Sequence, residues 1–319
     1  MSGNHRANCS LFICLNASVL GLFYSLMNKF KVFFTFLAFF WLGLCGFWAI
    51  SQCFQERELA WLGVLINAWA LPIWMLLRSL YPEKFAGDLR ESPAFFGVLG
   101  GLAVILLSDA GRGWPVYLSI YNLLVVLVYL FHLTAIAAPS APRLLPQIDA
   151  HFPDLVLQNE KGGDSGYTWR ARDFCTEQGA SGVMAIFIRG GFCADSRHLL
   201  AGLRRQVGEF RQRGVALAVF TIAAERPSAD TKTHSLASTV ASPGGFPVLP
   251  LDPMAEQNLP FIAPWGAPLW RWSWQKDATR PCAWLIDEEG DVIWRHLPGN
   301  YRTLPAVTFL RDQLYRVDE

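Results

Sequence analysis

The chain carries almost no excess of either charge: 27 lysines and arginines stand against 26 aspartates and glutamates in 319 residues, a formal net charge of +1. A nucleic-acid binder needs a concentrated basic footprint, so this balance argues against nucleic acid as a partner. The seven cysteines show no paired spacing, which leaves neither a secreted disulfide framework nor a zinc ligand set, and no metal or other cofactor is expected. Charge is also missing from the interior of the long apolar runs, where Arg78 stands only near the end of one. Without an acid or base deep in an apolar segment, ion-coupled transport has no pathway. A convincing small-residue cleavage site is lacking too, and the first apolar stretch is preceded only by His5 and Arg6 as basic flank.

What is abundant is apolar surface, 52% of residues with 13 tryptophans, and nearly all of the excess lies before about residue 138. Residues 32–50, 59–80, 93–107 and 114–138 each make a candidate spanning helix, given that a bilayer core takes about 20 residues. Residues 11–27, ahead of Asn28-Lys29-Phe30-Lys31, add a fifth span, an interfacial helix or a signal-like segment, with Met27 an alternative start. Lys29 and Lys31, with Arg78, Lys84 and Arg90 in the next loop on the same side, outweigh Arg57 and Arg112 opposite. Because cytoplasmic loops are enriched in Lys and Arg, this places the C-terminal half in the cytoplasm, as for an integral protein of a bacterial inner membrane. Trp114, Tyr117 and Tyr121 read as interfacial anchors. Asn67 is either a substrate contact or a hydrogen bond to a neighbouring helix, and Cys45 with Cys53 is either a thiol pair or apolar packing.

The fold expected is therefore an α-helical membrane bundle of four, or five, spans over residues 1–138, then a proline-rich linker over 139–150 and an α/β domain over 151–319. In the latter, residues 155–157 and 167–174 suggest a short hairpin around the turn-rich 161–166. A strand from Val183 leads into a helix ending at Gly214 in the C′ position, and 215–223 form a second buried strand. Residues 228–241 suggest a helix, 246–251 a strand, 282–287 with 291–295 an antiparallel hairpin, and 303–317 a closing helix. The aromatic-rich 260–274, with Arg271 among its rings, suits either a membrane–water interface or the edge of the domain's own core.

Cys193 opens the helix after that first strand. A thiol there faces unpaired backbone N–H groups and the positive end of the helix dipole, which favour thiolate and hence nucleophilic chemistry. The run Arg189-Gly190-Gly191-Phe192-Cys193-Ala194-Asp195-Ser196, with 214–221 and 280–293, resembles the peroxiredoxin-like branch of the thioredoxin superfamily, the alkyl hydroperoxide reductase and thiol-specific antioxidant group. The resemblance covers about residues 150–317 and implies a thioredoxin-like sheet with helices on both sides. It puts Cys193 at the reactive cysteine and Ser196 where the second cysteine of a dithiol would stand. Pro281 then matches the cis-proline beside the sulfur, and Arg189 and Arg280 flank the thiolate. Two departures follow: Gly190 and Ile186 occupy the places of the threonine and proline of the P-x-x-x-T-x-x-C pattern, and no second cysteine lies within the motif. A resolving cysteine would have to come from elsewhere, Cys282 or, less well placed, Cys175. The activity implied is thiol-dependent reduction of a peroxide or a protein disulfide at the bilayer, with an external thioredoxin- or glutathione-like thiol as reductant. The alternative is a non-catalytic thioredoxin-fold interaction or assembly module on a membrane anchor.

Overall fold

The computed structural model describes residues 30, 33–81, 91–108, 113–137, 145–158, 167–222, 245–273, 275–298 and 304–317. Its first part is four helices: α1 (Phe33–Glu56), α2 (Leu59–Leu80), α3 (Ser92–Leu107) and α4 (Trp114–Ala137). Three of them, α1, α2 and the first 18 residues of α4, are long and apolar enough to cross a membrane, whereas α3 has 16 residues. At 1.5 Å per residue α3 is roughly 24 Å long, short of a hydrocarbon core of about 30 Å. The expected fourth span is thus a shorter apolar helix, and the candidate fifth, residues 11–27, lies outside the described residues.

Packing shows how the four helices run. Ala38 and Leu42 from the start of α1, Leu71 from the second half of α2, Ala94 and Val98 from the start of α3, and Val125, Val126 and Tyr129 from α4 share one buried cluster. Cys45 and Ala49, Trp61 and Val64, Ile105, and Leu118 share another. Early residues of α1 and α3 meet late residues of α2 and α4, so neighbours in sequence are antiparallel. The helices α2 and α3 approach so closely that a Cβ on Gly101 would lie 2.6 Å from the Gly63 carbonyl oxygen, a contact only glycine permits. Asn67 settles there as an interhelical donor, its Nδ2 giving a 2.8 Å hydrogen bond to the Val98 carbonyl. Outward, Phe36, Phe40, Phe47, Phe96 and Trp114 leave an apolar surface exposed.

The second part is a seven-stranded sheet: β1 (Leu155–Leu157), β2 (Tyr167–Trp169), β3 (Gly182–Phe187), β4 (Val215–Ile222), β5 (Val248–Leu251), β8 (Cys282–Asp287) and β9 (Val292–His296). Two short strands, β6 (Ile262–Ala263) and β7 (Ala278–Thr279), form a separate ribbon. The order is β2-β1-β5-β4-β3-β8-β9, with β3, β4 and β5 parallel and β8 antiparallel to β3 and β9. Helix α6 (Ala194–Gln212) connects β3 to β4, and α7 (Val307–Arg311) follows the β8–β9 hairpin. A parallel βαβ unit joined to an antiparallel hairpin and a last helix, with core order β4-β3-β8-β9, is the thioredoxin-like arrangement that the element order implied.

Both sheet faces are covered, so β3 and β4 are buried at every position and read as unbroken apolar runs. Met184, Ile186 and Ile188 face Leu199, Leu203 and Phe210 of α6 together with Leu310 and Leu314. Val183, Ala185 and Phe187 face the opposite layer, with α5 (Ala171–Gln178), Phe152, Phe261 and Trp284. Phe187, the last residue of β3, stacks on Phe261 at 4.5 Å and on Phe220 at 4.8 Å between centroids. Such pairs add about 0.5–1.5 kcal/mol each beyond area burial, and here they fix the strand end that delivers the chain to Cys193.

Several local expectations need correction. After β2 the chain turns helical at Ala171, not strand-like through 174, because the i, i+3, i+4 set Ala171, Phe174 and Cys175 buries one face of α5. The closing helix is shorter than 303–317: Pro305 disfavours helix at the residue before it, and after Arg311 the chain tightens into a 3-10 turn at Leu314–Val317. The turn at 161–166 and the suggested helix at 228–241 lie outside the described residues. Within the proline-rich stretch, Leu145 is buried in the core of the sheet and the Pro146 carbonyl accepts hydrogen bonds from Trp284 and Arg295.

Candidate functional site

Ile188, just beyond β3, still hydrogen-bonds the Phe220 carbonyl, and the chain then turns through Gly190, whose φ is +130°. A β-branched threonine does not adopt that backbone, and a Cβ there would sit 3.1 Å from the Phe192 ring. The departure from the peroxiredoxin threonine is thus part of this turn's geometry. The Cys193 N–H closes the turn on the Gly190 carbonyl at 3.1 Å, and Cys193 becomes the N-cap of α6, with φ −87° and ψ 124°. Its carbonyl accepts the first helical bond, from the Arg197 N–H, while Arg197 also reaches back to the Gly191 carbonyl at 2.7 Å. Cys193 places no side-chain cap bond on the helix, so the thiol is not consumed as a capping group. It is 8% exposed.

Ser196, in the first turn of α6, is fully buried, and its Oγ has no hydrogen-bond partner. It therefore does not donate to the sulfur in this state. A buried hydroxyl left unpaired costs about 1–3 kcal/mol and stands ready for a polar atom brought to the helix start.

Arg189 donates to the Gly266 carbonyl at 2.8 Å, and its guanidinium lies over the Phe192 ring at 5.4 Å. Arg271, from the aromatic-rich segment, lies over the same ring at 5.3 Å. That segment thus folds onto the Cys193 turn, with Trp265 and Trp272 edge to face at 4.9 Å and both half-buried. Arg280 binds the Ile262 carbonyl through Nε at 2.9 Å. The peptide before Pro281 is trans, against the cis bond that the resemblance implied. Here β7 pairs with β6, the Arg280 N–H bonds the Phe261 carbonyl, and an extended path runs straight into β8, which the intrinsically preferred trans isomer serves.

All five cysteines among the described residues are free thiols. Cys282 pairs across the sheet with Phe187, at the same strand end as Cys193, but it faces the layer opposite α6. Its thiol donates to the Arg280 carbonyl at 3.1 Å, and burial pushes its pKa well up, against the opposing pull of Arg280. Cys175 sits by the Asp287 carbonyl, at the other end of β8, and burial with Asp287 and Glu288 raises it to about 12. The five steps along the six residues of β3, about 3.3 Å each, put roughly 17 Å between its two ends, so the structure brings Cys282, and not Cys175, towards Cys193.

Sequence reasoning missed the neighbours that come from far along the chain. Asp195, in the first turn of α6, accepts a 3.3 Å hydrogen bond from Arg78 of α2, which also binds Glu91 at 3.2 Å. Glu91 is the N-cap of α3 and accepts from Trp74 Nε1 at 2.8 Å. A basic residue in the last turn of an otherwise uncharged apolar helix was the available signal, and its partner was not readable. No group of three or more potential metal-ligating side chains is found among the described residues.

No protein-family model and no curated protein matches the sequence. Among solved structures, the chain is similar to a mitochondrial 2-Cys peroxiredoxin from Plasmodium falciparum, at 8% identity over 54% of this chain and 94% of that one, with a TM-score of 0.36. It is also similar to a reduced peroxiredoxin from Vibrio vulnificus in complex with hydrogen peroxide (14% identity, 53% and 99% covered, TM-score 0.38). A thiol:disulfide interchange protein from Bacteroides sp. is a third (15% identity, 55% and 92% covered, TM-score 0.32). At such identities and TM-scores the likeness carries no argument, and the fold assignment rests on the strand order described above.

Proposed function

We propose that the chain is a membrane-anchored thiol oxidoreductase that reduces a peroxide or a protein disulfide through Cys193. One observation carries the reading: Cys193 caps a 19-residue helix without a side-chain cap bond, and the buried Ser196 hydroxyl in the same first turn has no partner. The backbone N–H groups of that turn and the helix dipole favour negative charge on the sulfur. Attack by the thiolate on a peroxide oxygen forms S–O and breaks O–O, giving Cys193 sulfenic acid and an alkoxide that takes up a proton as the alcohol. The sulfur loses two electrons and the peroxide gains them. An external thiol then displaces water to give a mixed disulfide, and a second thiol releases Cys193 with formation of the reductant's own disulfide. Ser196 donates to the developing oxygen or to the sulfur, and Arg189 supplies positive charge beside the turn. Pro281 shapes the approach to β8, where Arg280 holds the adjoining loop in place. Cys282 lies nearest in the sheet as an internal resolving thiol, but its raised pKa favours the external reductant. The helices α1, α2 and α4 lie in the bilayer, with the α/β domain on the cytoplasmic side.

Trapping decides this. After mild peroxide, the full-length protein in detergent should carry a sulfenic-acid adduct on Cys193 in peptide mass spectrometry, and Cys193→Ser should carry none. A wild-type protein without that adduct would sink the assignment. The 8% exposure of Cys193 favours a second reading, an assembly module with a structural cysteine, under which Cys193→Ser keeps the cellular effect.

A further inference from the structure

The first turn of α6 is held from outside its own domain. Arg78 stands in the last turn of α2, and its side chain is 5% exposed. One terminal nitrogen binds Glu91, 2% exposed, and the other binds Asp195, 23% exposed. Trp74, one turn before Arg78 on the same helix face, fixes the second oxygen of Glu91. The result is a relay from the bundle, Trp74 to Glu91 to Arg78 to Asp195, ending two residues from the thiol. The antiparallel order of α1 to α4 puts the end of α2, the start of α3 and the end of α4 at one end of the bundle, from which the chain leaves for the domain.

Asp195 has two opposed effects. A carboxylate in a first turn suits the helix dipole, yet unmatched it places a negative charge beside the sulfur that must itself become negative. An arginine shared with Glu91 and shielded from water satisfies that carboxylate and leaves the positive end of the helix to Cys193. The fork of the guanidinium suits this task, since one nitrogen serves each carboxylate. We infer that Arg78 is a positioning residue for Cys193: the bundle, through the Arg78–Asp195 pair, fixes the opening turn of the thiol helix and offsets the carboxylate next to it. This rests on the proposed chemistry at Cys193, and it makes the helical part a component of the site and not only an anchor.

The test uses the full-length protein in detergent micelles and two measurements: iodoacetamide alkylation of Cys193 at fixed neutral pH, and amide hydrogen exchange over residues 194–198. In R78Q, which leaves the Asp195 carboxylate unmatched near the thiol, alkylation should slow by about tenfold, and exchange in the first turn of α6 should accelerate. R78K, which keeps the charge, should stay within about threefold of wild type, and the double variant R78Q/D195N should recover most of the alkylation rate because the uncompensated carboxylate is gone. A merely structural role predicts no such recovery. D195N alone leaves the Arg78–Glu91 pair intact, so it guards against a misfolded R78Q, and it too should loosen the first turn. R78Q and D195N proteins that both match wild type in alkylation and exchange would overturn the inference. A wild-type Cys193 that resists both peroxide and iodoacetamide would instead overturn the thiol reading, while the exchange data still decide whether Arg78 holds the turn.

Discussion

At the scale of residues, the three thiols of the α/β domain are separated by what surrounds them. Cys175 is 1% exposed, packed under the sheet and faced by Asp287 and Glu288, all of which disfavour a thiolate. Its pKa therefore rises from an ordinary 9.0 to about 12 in the folded state. Between those two values the unfolded chain has lost this proton while the folded chain keeps it, so stability falls as pH rises. Its contribution is fully present below about pH 9 and is lost as pH climbs through about 12. Cys282 acts in the same direction. Chemical denaturation of the protein at pH 8 and pH 10.5 should show lower stability at the higher pH, and Cys175→Ala should reduce that difference. Equal stability at the two pH values would refute the assignment. The type and place of Cys193 were legible from the sequence, because an apolar strand, a glycine turn and a helical stripe are local patterns. Its surroundings were not: Arg78 and Arg271 lie more than 70 residues away on either side, and nothing in a local pattern encodes such pairs.

At the scale of elements, one buried amide reinforces the seam between β1 and β5. Asn258 is fully buried in a 3-10 turn, accepts from the Val156 N–H at 3.2 Å, and donates to the carbonyls of Val156 at 2.6 Å and Asp252 at 2.8 Å. It adds to a short seam, in which β1 pairs with β5 only at Leu157 and Leu251 and the flanking Gln158 and Asp252 N–H groups bond the Pro250 and Val156 carbonyls. Asn258→Ala should cost roughly 2–3 kcal/mol, since the Val156 N–H loses its acceptor and the Asp252 carbonyl its donor, and Asn258→Asp should cost at least as much, because it sets a carboxylate oxygen against two carbonyls in a buried site. Denaturant titration measures both, and a change below about 0.5 kcal/mol for the alanine variant would mean that water or a neighbour replaces the amide. The buried strands β3 and β4, the α6 helix and the β8–β9 hairpin follow from apolar runs, helical spacing and the Glu288-Glu289-Gly290 turn. The short β6–β7 ribbon and α5 did not show, because two-residue strands have no periodicity and the apolar positions of α5 are too few to separate from a strand.

At the scale of the whole molecule, the ion pair between α2 and α6 puts the Cys193 turn against one end of the bundle, and the aromatic segment around Trp265 and Trp272 packs on that same turn. If the bundle lies in lipid, that segment is at the membrane surface. Lipids brominated near the headgroup should quench fluorescence of a variant that retains only Trp265 and Trp272, while chains brominated near the bilayer centre should not. Absence of quenching by the first would place the domain's aromatic edge away from the bilayer. Composition alone announced a helical part followed by an α/β part, since apolar residues crowd into the first 138 positions. The number of helices long enough to span was harder to read, because α3 is apolar enough but short, and Gly97 and Gly101 bring it close against α2.

Phe192, the residue before Cys193, lies under the guanidinium groups of both Arg189 and Arg271, so the turn that carries the thiol is pinned from two segments. With Cys193 as the proposed nucleophile, a turn pinned in this way favours a small hydroperoxide over a disulfide on a folded protein, which would need Arg271 and its segment to move aside first.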